Sequence, residues 1–349
     1  MGKTVVRVLG GIAIAAVVAV AGFSIAYPKA ARAVWCNLTV GSVPLDESDA
    51  WSGGESYTGV AYATDSPSQY LDLYVPESDD GTEPPLFVII HGGGFVLGDS
   101  QTRQAQLMYR YFRDHGYACA SVNYRLAAEE PFPGALCDCK AAIRFLRAHA
   151  DEYGYNADRI AVFGESAGGY LAIMCSVTDD GQFNDVVFIG QDELGDVSAH
   201  VDVLVDYYGH VDNDTAEQDW EQLGIPQVVL DLANTWASPD LLMGYEDFES
   251  AWFRRNVSEM TPEEKAVYDP HAYIDANDLS GLSVWIIHGD ADITVPYLHS
   301  TRLAEHLSQK LGEDAVSLTL VPGMGHASDP LYSDEVLEGL ESYLDERLI

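Results

Sequence analysis

Arg159-Ile160-Ala161-Val162-Phe163-Gly164-Glu165-Ser166-Ala167-Gly168-Gly169-Tyr170-Leu171-Ala172 is the stretch on which the fold turns. Its first five residues read as a buried strand and its last as the start of a helix, with a Gly-x-Ser-x-Gly corner between them. A serine at such a corner is forced into a strained backbone conformation, and small residues flank it because strand and helix nearly touch there. The corner exposes the hydroxyl and aims the helix N-terminus at any anion forming beside it.

Working outward, residues 70–75 alternate as a half-buried strand that stops at Pro76. Residues 86–90 are a continuous apolar run between Pro85 and a glycine cluster, as expected of a strand buried on both faces. A helix over 101–115, a strand over 117–123 and a helix over 134–150 lead into the 159–163 strand. Beyond the corner come a strand over 200–208, a strand over 283–287, a helix over 296–310, a strand over 315–321 and a helix over 329–347. This alternation predicts an α/β fold with a mostly parallel central sheet flanked by helices. Residues 211–269 lack the rhythm, carry Trp220, Trp236 and Trp252, and are strongly acidic, so they read as a cap insertion over the sheet. Residues 37–56 are polar and show no sustained period. The expected organisation is a signal peptide or membrane anchor over 1–33, a linker over 34–56 and the α/β domain over 57–349.

The chain has 349 residues, 47% hydrophobic and 21% charged, which excludes disorder, collagen and coiled coil. Its 55 acids against 18 Lys and Arg give a net charge of -37, a surface that repels phosphate backbones, so nucleic acid is excluded as a partner. The N-terminus differs in kind. From Val8 to Ala26 no residue is charged and only Ser24 has a polar side chain, behind Lys3 and Arg7. That is about the length that spans a bilayer, while Ala31-Arg32-Ala33 reads as a small-x-small cleavage site. Export is the expectation, with the domain either tethered to the membrane or secreted; Lys29 and Arg32 beyond the apolar run balance Lys3 and Arg7 before it, which leaves a cytoplasmic-facing domain as the alternative. Five cysteines make no disulfide framework in a chain of this size, and Cys137-x-Cys139 lacks the second pair a zinc knuckle needs. They read as buried small hydrophobes, with Cys36 a lone thiol beside the anchor.

A hydroxyl is a poor nucleophile until a base takes its proton, so Ser166 demands a histidine and an orienting acid further along the chain. The 283–287 strand runs into His288-Gly289-Asp290-Ala291-Asp292, and the 315–321 strand into Pro322-Gly323-Met324-Gly325-His326. Groups beyond the carboxyl ends of parallel strands are where such a sheet builds its sites. His326, between Gly325 and Ala327, is the expected base. Asp290 and Asp292 could each reach its ring. Three glycines in His91-Gly92-Gly93-Gly94-Phe95 let backbone amides converge on one point, which suits negative charge on a carbonyl oxygen. The amides of Gly93, Gly94 and Ala167 are the expected donors. A phosphate loop is excluded, since both GxGxxG and a P-loop lysine are missing.

The combination of His91-Gly92-Gly93-Gly94, Gly164-Glu165-Ser166-Ala167-Gly168, Asp292 and His326 resembles the α/β-hydrolase esterases, especially the hormone-sensitive-lipase-like branch. Residues 121–126, 138–147 and 158–160 look like the bacterial carbohydrate acetyl and feruloyl esterases of that group. The likeness covers about 57–346, and it departs from the family at Ala127-Ala128-Glu129 and in the 211–269 insertion. It implies an α/β-hydrolase fold, and a serine carboxylic-ester hydrolase with Ser166 as nucleophile, His326 as base and Asp292, which matches the family's acid position, as orienting acid. The substrate implied is a small or glycan-linked acyl ester, with no metal or cofactor needed. Asp290 would then tighten its turn by bonding backbone amides. A peptidase of prolyl-oligopeptidase type and a non-catalytic binding module on the same fold are the alternatives. The first needs a propeller longer than the sequence before Tyr57, and the second is expected to have lost one of the three residues.

Overall fold

The computed structural model describes residues 51–349 apart from 79–80, 185–193, 195, 213–214 and 234–239. The segment 1–33 read as a signal peptide or membrane anchor, Cys36 and Trp236 lie outside the described residues.

Eight strands form one sheet in the order β1-β2-β4-β3-β5-β6-β7-β8. They are β1 (Gly54–Ala61), β2 (Tyr70–Pro76), β3 (Pro85–Ile90), β4 (Ala118–Val122), β5 (Asn156–Glu165), β6 (Val203–Tyr207), β7 (Ser283–Gly289) and β8 (Val316–Val321). β3 to β8 are mutually parallel where they pair, whereas β2 runs antiparallel to both β1 and β4. Alternation of side chains along β3 shows why its sequence is apolar throughout. Leu86, Val88 and Ile90 face one core, Phe87 and Ile89 face the other, and all five are fully buried.

Helices cover both faces. Helices α1 (Arg103–Asp114) and α2 (Gly134–Ala148) flank the first half of the sheet, and α3 (Ala167–Val177) follows the Gly-x-Ser-x-Gly corner. The insertion contributes α4 (Ala216–Leu223), α5 (Gln227–Ala233) and α6 (Phe248–Phe253), and α7 (Pro270–Ala276) follows it. Helices α8 (Leu298–Leu311) and α9 (Asp334–Leu348) complete the chain. Apolar residues of α2, α3, α7 and α8 fill one core, and those of α1 and α9 the other, giving a three-layer α/β/α arrangement. Every residue of α3 is buried, so this helix lies at the centre of its layer.

Two differences from the sequence reading have local causes. The sheet begins at Gly54, inside the stretch read as linker. Its first strand is half exposed and its register shifts between Tyr57 and Val60, where Gly59 takes φ +66 and donates to Asp72 Oδ1 at 2.8 Å; the bulge erases the alternation that would mark a strand. The terminal helix starts only at Asp334, because Asp329–Tyr332 forms a separate 3₁₀ turn with Pro330 near its start.

The stretches outside the corner that carry the family resemblance hold loops onto helices. Asp138 on α2 is fully buried and accepts from Arg125 Nη2 at 2.8 Å, Arg125 Nε at 2.9 Å, the Arg125 amide at 2.9 Å and Gln69 Nε2 at 2.8 Å. Arg144 and Arg147 on the same helix donate to the carbonyls of Val197 and Ser198 at 2.9 and 3.0 Å. These residues anchor the backbone around the sheet rather than facing a substrate.

Candidate active site

The corner is built by contact. A Cβ on Gly164 would stand 2.0 Å from the carbonyl oxygen of Gly168, and one on Gly168 would stand 2.2 Å from the carbonyl of Ile90. Both positions are therefore closed to any other residue. Between them Ser166 takes φ 55 and ψ -121, a region costing a non-glycine residue on the order of 1–3 kcal/mol. Its amide donates to the carbonyl of Tyr207 at 2.9 Å, which ties the corner to the end of β6.

The structure brings Ser166, His326 and Asp292 into one hydrogen-bonded chain. Ser166 Oγ lies 3.0 Å from His326 Nε2, and His326 Nδ1 lies 2.7 Å from Asp292 Oδ2. Nδ1 faces a carboxylate and therefore carries the hydrogen, leaving the Nε2 lone pair turned to the serine. Asp292 is buried and fully engaged: the amides of Thr294 and Val295 donate to Oδ1 at 2.7 and 3.0 Å, and His288 Nε2 lies 3.1 Å from Oδ2. Burial alone would raise its pKa, but the charge of His326 and the hydrogen bonds of His288 and His326 hold it well below the ordinary carboxylate range. Burial likewise opposes the charged form of His326, and the Asp292 carboxylate outweighs it, lifting the imidazole above its usual 6.5. Asp290 is placed differently. Its Oδ1 accepts the amide of Gly323, on the loop that carries His326, so it ties two loops together rather than closing its own turn.

Gly93 and Gly94 follow β3 with φ +118 and +60, and with Ser166, Ala167 and His326 they line a cleft of about 360 Å³. The amides of Gly93, Gly94 and Ala167 take no partner among the described residues. His91, first of this loop, is buried with its ring stacked 4.2 Å over Tyr124, and burial pushes its pKa down to about 4. It is a wall of the loop, not a base.

Several residues that the sequence reading passed over complete the site. Glu165 is buried and accepts from the Gly92 amide at 2.9 Å and from Tyr208 Oη at 3.2 Å, while Tyr208 also hydrogen-bonds Tyr332. The Tyr208 ring stands edge-on to His326 at 4.7 Å. Burial raises the Glu165 pKa against the Gly92 amide and the charge of His326. The insertion supplies Leu242, Glu246, Phe248 and Glu249 to the cleft, where Glu249 pairs with His210 at 3.4 Å. Of its tryptophans, Trp220 and Trp252 are buried and line no part of the cleft; Trp252 stacks on Phe95 at 3.8 Å and 6°. Only position within the Gly-x-Ser-x-Gly motif could have pointed to Glu165, and only adjacency to the strand end to His288.

Comparison with known proteins adds relatives. The matched curated proteins include the esterase LipC of Mycobacterium tuberculosis, 27% identical over 76% of this chain and 59% of its own length. A probable carboxylic ester hydrolase of the same organism, LipM, is 25% identical over 78% of this chain and 56% of its own length. The chain thus spans little more than half the length of these relatives. Among solved structures, a bifunctional GH43-CE protein of Bacteroides eggerthii superposes with a TM-score of 0.68 at 23% identity, over 86% of this chain and 36% of its own. A truncated carbohydrate esterase from gut microbiota gives 0.66 at 24%, over 86% of this chain and 98% of its own. At such identities the likeness is one of fold, and it is the α/β-hydrolase fold. The BD-FAE profile matches residues 71–307, more than half of the chain and inclusive of Ser166 and Asp292, so this protein belongs to the BD-FAE family.

Proposed function

We propose that the protein is a serine carboxylic-ester hydrolase. The observation that carries this reading is the Ser166–His326–Asp292 chain at the carboxyl edge of the sheet, next to three amides that take no partner among the described residues. Ser166 Oγ attacks the ester carbonyl carbon while its proton passes to His326 Nε2. The carbonyl π pair moves onto oxygen, which the amides of Gly93, Gly94 and Ala167 receive. Collapse of this intermediate breaks the bond to the alkoxy oxygen, which leaves as alcohol with the proton from His326. Water then attacks the acyl-enzyme by the same route and frees the acid. Asp292 fixes the ring and stabilises the imidazolium without itself taking the proton. Relatives named as esterase and carboxylic ester hydrolase support the reading.

The substrate we propose is a short-chain or carbohydrate-linked acyl ester. The cleft is small, and the insertion lines it with Glu246, Asp247 and Glu249 beside Ala216, Leu242 and Phe248 as apolar walls. His210 and Glu249 offer polar partners to an alcohol bearing further hydroxyls. A match to an acetyl esterase of Salmonella schwarzengrund, 34% identical over 113 residues, agrees with a short acyl group. We also propose that the chain is exported through its 1–33 segment. Among the described residues no helix is long and apolar enough to cross a membrane.

Replacing Ser166 with Ala should abolish hydrolysis of p-nitrophenyl butyrate while the melting curve stays unchanged, and a serine-directed phosphonate should label the wild type once. An alanine variant that kept most of its turnover would end the proposed mechanism. Asp292→Asn should lower kcat by up to ~10⁴-fold and lower Tm as well, because four donors lose their charged acceptor. Asp290→Asn should instead lose on the order of 1 kcal/mol of stability while keeping most of its kcat, because the amide of Gly323 loses a charged acceptor. Across acyl chain lengths, kcat/KM should be higher for C4 than for C12 esters, and the reverse order would refute the small cleft as the determinant. Fractionation of cells expressing the full chain should place activity outside the cytoplasm; soluble cytoplasmic activity with residues 1–33 intact would defeat the export proposal.

A further inference from the structure

Behind the proposed relay lies a second imidazole that takes no part in it. His288 is the penultimate residue of β7, two residues before Asp290 and four before Asp292, and its side chain is fully buried. Its Nε2 faces two acceptors at once, Asp292 Oδ2 at 3.1 Å and the carbonyl of Val295 at 3.1 Å, so that nitrogen carries the hydrogen. Its Nδ1 lies 2.8 Å from Oγ of Ser300, itself buried in the first turn of α8. Asp292 Oδ2 is thus shared by two rings, one at the cleft and one sealed behind it. The two turn amides occupy the other oxygen, so among the described residues His288 is the one donor that competes with His326 for Oδ2.

We propose that His288 is a positioning residue of the Ser166–His326–Asp292 relay, its Nε2–H fixing the rotamer of Asp292 and drawing off part of the charge that Asp292 presents to His326. The proposal rests on the ester-hydrolase reading for its kinetic consequences only. The fork it forms, Asp292 Oδ2 together with Val295 O, also pins the 292–295 turn whose amides hold Oδ1, so one ring sets both oxygens of the carboxylate. Without that hydrogen, Asp292 would pivot about its remaining donors and give more of its charge to His326. The imidazolium would then be more stable, and His326 would stay protonated, unable to act as base, to higher pH. The other groups facing His326 are Ser166, the Tyr208 ring and the buried Glu165 carboxylate; those facing His288 are Ser300, His299 and, at 6.2 Å, Tyr208. None of them changes in the variants below.

Two amide substitutions separate the two ring nitrogens. His288→Gln carries an N–H donor near the place of Nε2, whereas His288→Asn reaches only to the place of Nδ1. Histidine-selective ¹⁵N NMR of the full chain gives the His326 titration midpoint without substrate, and p-nitrophenyl butyrate gives kcat, KM and the acid limb of the pH profile. In the wild type both midpoints should lie above the ordinary 6.5. His288→Asn should raise them by about one pH unit. Its kcat should fall about tenfold with KM little changed, since only the orientation of the acid is lost. His288→Gln should restore both toward the wild type. Should Asn not be accommodated, His288→Met, which also lacks a donor but fills the space, serves in its place. Equal losses of Tm in the two amide variants, with the His326 midpoint unmoved, would reduce His288 to a packing residue and overturn the proposal. A wild type that hydrolysed no ester would overturn the functional reading instead, while the His326 midpoints would still decide the role of His288.

Discussion

The near-contact between β5 and α3 is the constraint on which the site depends. Backbone meets backbone there so closely that Gly164 and Gly168 cannot carry a Cβ, and the chain between them has to turn within three residues. The left-handed conformation of Ser166 is the result, and it lifts the hydroxyl clear of the sheet. Strain of on the order of 1–3 kcal/mol persists only where the surroundings determine it. Here they do: α3 is buried along its whole length, the Ser166 amide is tied to Tyr207, and Gly168 rests against the carbonyls of Ile90 and His91. That last contact also sets the height of the 91–95 loop, so one close approach places both the serine and the amides proposed to face the oxyanion.

Around this corner the charge of the molecule is sorted by depth. Most of the 55 acids serve a strongly negative surface, but Asp292 and Glu165 are buried on either side of His326. A buried carboxylate is costly unless hydrogen bonds or a counter-charge compensate it. Asp292 has two amides and two imidazoles; Glu165 has one amide and one phenol. The difference explains why Asp292 is held below the ordinary carboxylate range while burial raises Glu165. Both environments favour positive charge on His326, which is what the proposed acyl transfer generates there.

How much of this was legible in the sequence follows from the range of each interaction. The corner, the βαβ rhythm and the two loops bearing Asp292 and His326 are written in contiguous residues, and they were readable. Choosing between Asp290 and Asp292 required family resemblance, because both follow the same strand; the structure separates them by what each carboxylate accepts, a histidine ring in one case and the Gly323 amide in the other. β1 was missed because its bulge breaks the alternation. His288, Tyr208, Tyr332 and Glu165 escaped notice for another reason: each acts through a partner more than a turn away or on another strand, and a lone buried His or Tyr has no signature in spacing. The tryptophans of the insertion were read as part of a cap lying over the sheet, whereas burial makes Trp252 part of the core.

That last difference changes what the insertion does. Its helix α6 carries Phe248, Glu249 and Trp252 within five residues. Trp252 lies flat against Phe95, a residue at φ 65 directly after the three glycines, and the Phe248 ring stands 2.5 Å from where a Cβ on Gly94 would be. The helix therefore presses on the proposed oxyanion loop from the outside with the same turn that offers Glu249 to the cleft. The Asp247 side chain caps this turn by accepting the Ser250 amide at 2.6 Å, which fixes its start. Glycine at 94 is thus required twice, once by its backbone angle and once by the ring above it. A substitution in α6 that altered the wall proposed to face the alcohol would also shift the support of the amides proposed to face the oxyanion, so the two proposed roles share one helical turn and cannot vary independently.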